Sequence, residues 1–273
     1  MIAAITSEFR KFFSTRLWWV LTLCMVGYFL LMSGGMAATV GGLSSMSPGD
    51  SSLEGFESVV YGIGVASGYV FPVIVGAIGV TAEYRHHTIV PTFLAQPRRL
   101  VVMGAKAIAA LPMGLAIGVA GTAACLIGGG LGFAITGVPT GLDQASTWRN
   151  AGLSVLAFTV WTLVGVGLGL LIISQVGVIV FALAFTQLVE PILRLGMSMM
   201  SSPVLNQLAQ YLPGAASDSL AGGTSLYQMI TVSATTVSGV PPLGVWQGGL
   251  VLLGYAVVLG VIGYLVRIRR DVA

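Results

Sequence analysis

The chain has 273 residues, 56% of them hydrophobic and 8% charged, with a formal net charge of +3 and a mean hydropathy of +0.95. A soluble fold of that size cannot keep so much apolar surface from water, so the soluble globular classes are excluded in favour of an integral membrane protein. Strands of alternating polarity roughly ten residues long are absent, and with them the signature of a transmembrane barrel.

In chain order, an amphipathic helix is expected first, over about residues 3–16. Ile5, Phe9, Phe12 and Phe13 share one helical face while Glu8, Lys11 and Thr15 occupy another, the pattern of a helix lying in the headgroup plane. Trp18 and Trp19 follow Arg16 at the depth where aromatic residues anchor. The basic start also fits a secretory signal, but its apolar run is longer than a signal core.

A span needs roughly 20 mostly apolar residues. Six segments qualify: 17–40, 59–80, 107–135, 152–172, 176–193 and 244–266. Only Ser174 and Gln175 interrupt the fourth and fifth, which are expected to form a tight helical hairpin, since one helix over 152–193 would be about twice the needed length. Pro72 and Pro112 are expected to kink the second and third spans. Four glycine pairs with small-xxx-small spacing, Gly64/Gly68, Gly114/Gly118, Gly128/Gly132 and Gly165/Gly169, are expected where helix backbones approach closely. Cys24 and Cys125 both fall within spans, where they act as small apolar residues and imply no disulfide framework.

Charge sets the orientation. Arg10, Lys11 and Arg16 precede the first span, Arg85, Arg98, Arg99 and Lys106 lie between the second and third, and Arg267, Arg269 and Arg270 follow the sixth. In a six-span chain all of these fall on one side, so both termini are expected in the cytoplasm. Asp50, Glu54, Glu57, Asp143 and Asp218 fall on the other side with Arg149 and Arg194. Glu190 and Arg194, four apart, are expected to form a helix-surface ion pair.

The cytoplasmic island Thr81–Lys106 holds the most specific pattern. Pro91 can open a short helix, because its missing N–H is an orphan at that position anyway. Pro97 ends it by forcing the residue before it out of helical geometry. The expected helix spans 91–95, is flanked by Arg98 and Arg99, and is too small to fold alone. Its use is as a docking element. The outer stretch 197–242 is expected to begin a helix at Ser202 and Pro203, with Val204, Leu205, Leu208 and Leu212 on one face.

Chemistry is expected elsewhere. His86 and His87 are adjacent and point about 100° apart on a helix, a poor geometry for a shared metal. No phosphate loop, HExxH or GxSxG motif occurs, and no charged residue marks a span centre as an ion relay. The chain is therefore read as non-catalytic.

The stretch EYRHHTIVPTFLAQPRR, Glu83–Arg99, with Lys106 beyond it, resembles the first cytoplasmic loop of ABC-2 type transporter permeases of bacteria. SEFRKFFSTRLWW, Ser7–Trp19, resembles the elbow helix of that family, and YLPGAASDSLAGG, Tyr211–Gly223, is similar to its external segment. With the six-span layout the resemblance covers essentially the whole chain. It departs from the family pattern at His87, and at Ile173 and Ser174 in the tight turn.

The resemblance implies one all-α permease domain over 1–273: six transmembrane helices, an N-terminal amphipathic elbow helix, a short cytoplasmic coupling helix and an external helical segment between spans five and six. It implies a plasma-membrane exporter half, with a separate ABC ATPase subunit, a second permease copy or close paralogue, and membrane lipids as partners, and no nucleic acid. No cofactor is expected on this chain; ATP and Mg would be held by the ATPase. Coupling to that ATPase would fall to Glu83, Tyr84, Arg85, Thr88, Pro91, Thr92, Phe93, Pro97, Arg98 and Arg99. Phe9, Phe12, Phe13 and Arg16 would form the elbow, and Glu190, Arg194, Tyr211 and Pro213 are external gate candidates. The apolar spans suit a hydrophobic or amphipathic drug- or antibiotic-like cargo. Lipid or glycoconjugate export is the alternative, followed by a secondary transporter or a membrane assembly protein.

Overall fold

The structure is a computed structural model and describes residues 2–14, 17–46, 55–86, 88–96, 98–200, 202–222 and 243–268. Every regular element among the described residues is helical. Helix α1 (Ile2–Ser14) precedes α2 (Leu17–Met46). The second expected span is divided between α3 (Phe56–Gly68) and α4 (Val70–Arg85). The interruption falls at Tyr69, three residues before Pro72, where a proline that cannot donate to the preceding turn weakens the ladder. Next come α5 (Ile89–Ala95), α6 (Arg99–Thr136) and α7 (Ala145–Leu171). Pro112 lies inside α6 without ending it. Helix α6 stops at Gly137, whose left-handed φ of 74° lets the Val138 N–H reach back to the Phe133 carbonyl at 3.1 Å, a glycine-dependent stop.

The expected hairpin is present. Helix α8 (Gln175–Ala184) begins four residues after α7 ends, and the Ser174 side chain caps it by accepting from the Gly177 N–H at 3.1 Å. A π-helical turn, Phe185–Val189, then leads into α9 (Glu190–Met199). In a regular helix the Pro191 ring would strike the Gln187 carbonyl, and the wide turn before it gives that ring room. Two short helices follow, α10 (Pro203–Gln210) and α11 (Pro213–Leu220), and α12 (Val245–Ile268) completes the described chain. The single outer helix expected through Leu212 is thus two: α10 ends at Gln210, and Leu212 sits in extended geometry ahead of Pro213.

Among the described residues, six helical segments are long and apolar enough to cross a membrane: Leu17–Ser44, Phe56–Arg85, Leu100–Thr136, Ala145–Leu171, Gln175–Met197 and Val245–Val266. Several outrun the expected spans, because a helix of 37 residues rises about 55 Å, well beyond a hydrocarbon core of about 30 Å. The segments containing α4 and α7 are 72% buried, against 17% for α12. They form the centre of the bundle, with α2 and α6 on one flank, α8 against α4, and α11 and α12 against α7.

All four glycine pairs lie at helix contacts. A Cβ at Gly64 or Gly68 would meet the Phe29 ring, at Gly114 or Gly118 the Thr159–Thr162 turn or Val155, at Gly128 Leu30, and at Gly132 the Gly34 carbonyl. At Gly165 it would strike the Val73 carbonyl, and at Gly169 that of Ala77. The core beside them is aromatic: Phe29 stacks on Phe158 at 5.8 Å, and Tyr69 stacks on Trp161 at 4.5 Å. Both cysteines are free, Cys24 exposed and Cys125 buried.

Candidate functional site

Two buried ionic clusters lie near opposite ends of α4, and each holds a short helix against the bundle. The first is built from the polar island and α1. Glu83, in the last turn of α4, is 5% exposed. Its carboxylate meets Lys11 of α1 at 2.5 Å and Lys106 of α6 at 2.9 Å. Glu8 completes a four-membered ring, at 2.9 Å from Lys11 and 2.7 Å from Lys106. Two carboxylates and two ammoniums balance, and that balance is what makes their burial tolerable. Burial raises the Glu8 pKa, but Lys106 and then Lys11 outweigh it and hold the carboxyl below its ordinary 4.5. Burial lowers that of Lys11, yet its bonds to Glu83 and Glu8 prevail and lift the ammonium above 10.5.

This ring positions α5. The Thr88 N–H donates to the Glu83 carbonyl at 2.9 Å, and the Thr92 N–H donates to the Thr88 carbonyl at 3.3 Å. Lys11 reaches the Thr92 hydroxyl at 3.4 Å. Helix α5 begins at Ile89, two residues earlier than expected, and Pro91 occupies its third position. Gln96, before Pro97, is extended with φ −139° and ψ 92°, as a proline requires of its predecessor.

The island's outward face is apolar. Leu94 is 80% exposed and Val90 46%, four residues apart on one side of α5, while Ile89 is buried. Pro91 and Arg98 are exposed beside them. Arg85 is exposed too and donates to Gln175 at 3.1 Å, tying the end of α4 to the start of α8. Tyr84 packs among Val80, Met103 and their neighbours. The expected docking set therefore divides: Arg85, Thr88, Pro91 and Arg98 reach the surface, whereas Glu83 faces inward and supports the helix from below. Val90 and Leu94 were not among the residues expected to dock. Their i, i+4 spacing carried the signal, but in so short a helix the exposed face depends on which side Glu83 anchors. Phe9 is half-buried. Arg16, His87 and Pro97, the segment 223–242, and the side chains of Phe12, Phe13, Phe93 and Arg99 lie outside the described residues.

The second cluster corrects the expected helix-surface pair. Glu190 and Arg194 do pair, at 2.7 Å, but Glu190 is fully buried and Arg194 is 7% exposed. Asp218 of α11 joins them, its Oδ2 2.7 Å from the guanidinium. A buried ion pair in a bundle needs its remaining lone pairs filled. Glu190 Oε1 accepts from the Gly214 N–H at 2.6 Å and the Ala215 N–H at 3.2 Å, so the carboxylate caps α11 at its positive end. Glu190 Oε2 accepts from the Tyr69 hydroxyl at 3.0 Å, which also reaches the Thr186 carbonyl in the π-turn at 3.0 Å. Trp161, stacked on Tyr69, donates to Ser217 at 2.8 Å.

Among the external gate candidates, Glu190 and Arg194 thus meet in one network, which reaches α11 at Gly214 and Ala215, next to the buried Pro213 that opens that helix. Tyr211 does not join it: its ring is exposed, and its carbonyl accepts from the Tyr255 hydroxyl at 3.1 Å. Asp218 and Tyr69 were missed, because neither is close in sequence to its partners.

A cavity of about 280 Å³ lies behind the first cluster, walled by α4, α6 and α7 with Glu8, Lys11, Glu83 and Lys106 at its polar end. No group of three or more potential metal-ligating side chains occurs among the described residues. The chain matches no family model, and no curated protein matches it.

Proposed function

We propose that this chain is the permease subunit of an ABC-2 type exporter in the bacterial plasma membrane, with both termini cytoplasmic and α5 acting as the coupling helix. The observation that carries this reading is the exposed Val90–Leu94 ridge, flanked by Arg85 and Arg98. A seven-residue helix displaying apolar side chains at the polar end of a bundle gains most by inserting into a partner. The partner is a separate ATPase subunit that hydrolyses ATP with Mg, the arrangement that the resemblance to ABC-2 type permeases implies. Two permease copies, each with its ATPase, would pass a hydrophobic or amphipathic substrate outward. ATP moves the helices only in so far as the inward- and outward-open states bind the ATPase dimer differently.

The test is co-purification. Leu94→Asp removes the burial of a leucine and places a charge in the contact, a loss of about 2 kcal/mol or roughly thirtyfold in affinity. Phe93→Ala should weaken the same contact, and Arg98→Ala should act mainly on the association rate. ATPase recovery and substrate-stimulated hydrolysis unchanged in all three variants would sink the docking role.

A further inference from the structure

The geometry points to the cavity behind the first ionic cluster as a binding site for an amphipathic primary amine, whose ammonium takes the place of Lys11. Its walls are apolar, formed by Val75, Ile78, Ala109, Ala110, Met113 and Val166. At about 280 Å³ it is near the lower end of small-molecule sites. It follows α4 from Val75 to His86, roughly 16 Å of helix rise, which suits a short alkyl chain lying along the helix. The wall opens at Gly79, where an added Cβ would meet nothing within 4 Å although its neighbours Ile78 and Val80 are buried.

The polar end selects the head group. Glu83 is 5% exposed, and its Oε2 accepts no hydrogen bond. Lys106 Nζ lies 2.9 Å from that oxygen as an ion-pair partner, with hydrogen bonds to Glu8 and the Gly79 carbonyl, and the carboxylate oxygen keeps lone-pair capacity for a second donor. A buried carboxylate oxygen in that state favours a further donor. Lys11 shows the geometry a ligand would adopt, its ammonium placed among Glu8, Glu83 and the Thr92 hydroxyl. The two lysines differ in exposure: the Lys106 side chain is 5% exposed, whereas that of Lys11 is 39% exposed and has solvent beside it to move into. Exchanging Lys11 for a ligand ammonium leaves two negative and two positive groups in the ring. A neutral head would leave the carboxylates one cation short, and an anionic head would add a third negative charge. Because Lys11 also contacts Thr92, an occupied cavity would pass one of the bonds that hold α5 from α1 to the ligand.

The test uses n-octylammonium binding to the purified chain in lipid nanodiscs, measured against empty discs and without any ATPase, so its outcome is independent of the docking reading. The expected result is one saturable site per chain, with n-octanol and octanoate competing at least tenfold more weakly. Lys11→Ala, which vacates the ammonium position, should bind about tenfold tighter. Gly79→Leu, whose Cβ would meet nothing within 4 Å, should fill the opening and abolish binding, and Met113→Trp provides the same block from α6 if Gly79→Leu fails to fold. Binding no greater than to empty discs, equal competition by octanol, or an unchanged or weaker Lys11→Ala would overturn the assignment.

Discussion

Arg194 bridges Glu190 and Asp218 inside the bundle, so removing its guanidinium strands two carboxylates. Arg194→Met is expected to cost about 3–5 kcal/mol, the usual penalty for leaving half of a buried ion pair, read as a lower melting temperature in detergent. Glu190→Gln should cost less, since the amide oxygen still accepts from Gly214 and Ala215 while its NH2 faces the Tyr69 hydroxyl. The opposite cluster is tested by pH. Glu8 titrates below 4.5, so its contribution is complete above that value and is lost as pH falls through its depressed folded pKa. Lys11 titrates above 10.5, so its contribution is complete below that value and is lost as pH rises through its raised folded pKa. With the exposed Cys24 replaced by serine, a nitroxide on the exposed Ser7→Cys should report constant mobility between pH 4.5 and 10.5 and a loosened α1 outside that window.

Among the elements, α4 and α7 approach closely, because glycines on each helix face the other. Adding a Cβ at Gly165 drives it into the Val73 carbonyl, and one at Gly76 strikes the Thr162 carbonyl. Gly165→Ala is therefore expected to destabilise by about 1–3 kcal/mol through overpacking. At Gly35, where nothing lies within 4 Å, the same change should be neutral or should stabilise by up to about 1 kcal/mol from helix propensity. Thermal unfolding of the two variants side by side separates contact from propensity. This level was largely legible in the sequence: spans, hairpin and glycine pairs follow from runs and spacings within one segment. The ionic clusters were not, because Lys11 and Glu83 stand 72 residues apart and nothing local says which lysine a buried carboxylate will meet. The π-turn before Glu190 was illegible for a similar reason. Pro191 predicts a distortion, but its form depends on Tyr69 being there to take the Thr186 carbonyl.

At the scale of the molecule, α4 is the strut between the two clusters. Tyr69, just before its first residue, serves the Glu190 network, and Glu83, about 21 Å further along at 1.5 Å per residue, serves the ring beneath α5. Buried against α7 between those points, it can transmit displacement only as a body, whereas α2, α8–α9 and α12 turn most of their surface outward. A tryptophan scan should reveal this division. Trp at Leu31, 77% exposed, or Val257, 57% exposed, points away from the bundle and should leave the yield of folded protein unchanged. Trp at Ala157 or Val73, both essentially inaccessible, has no space and should lower that yield severalfold, since interiors this close-packed do not expand to admit an indole. Equal tolerance at the inner and outer positions would mean that α4 and α7 are not the rigid centre, and the strut between the two clusters would then have to be given up.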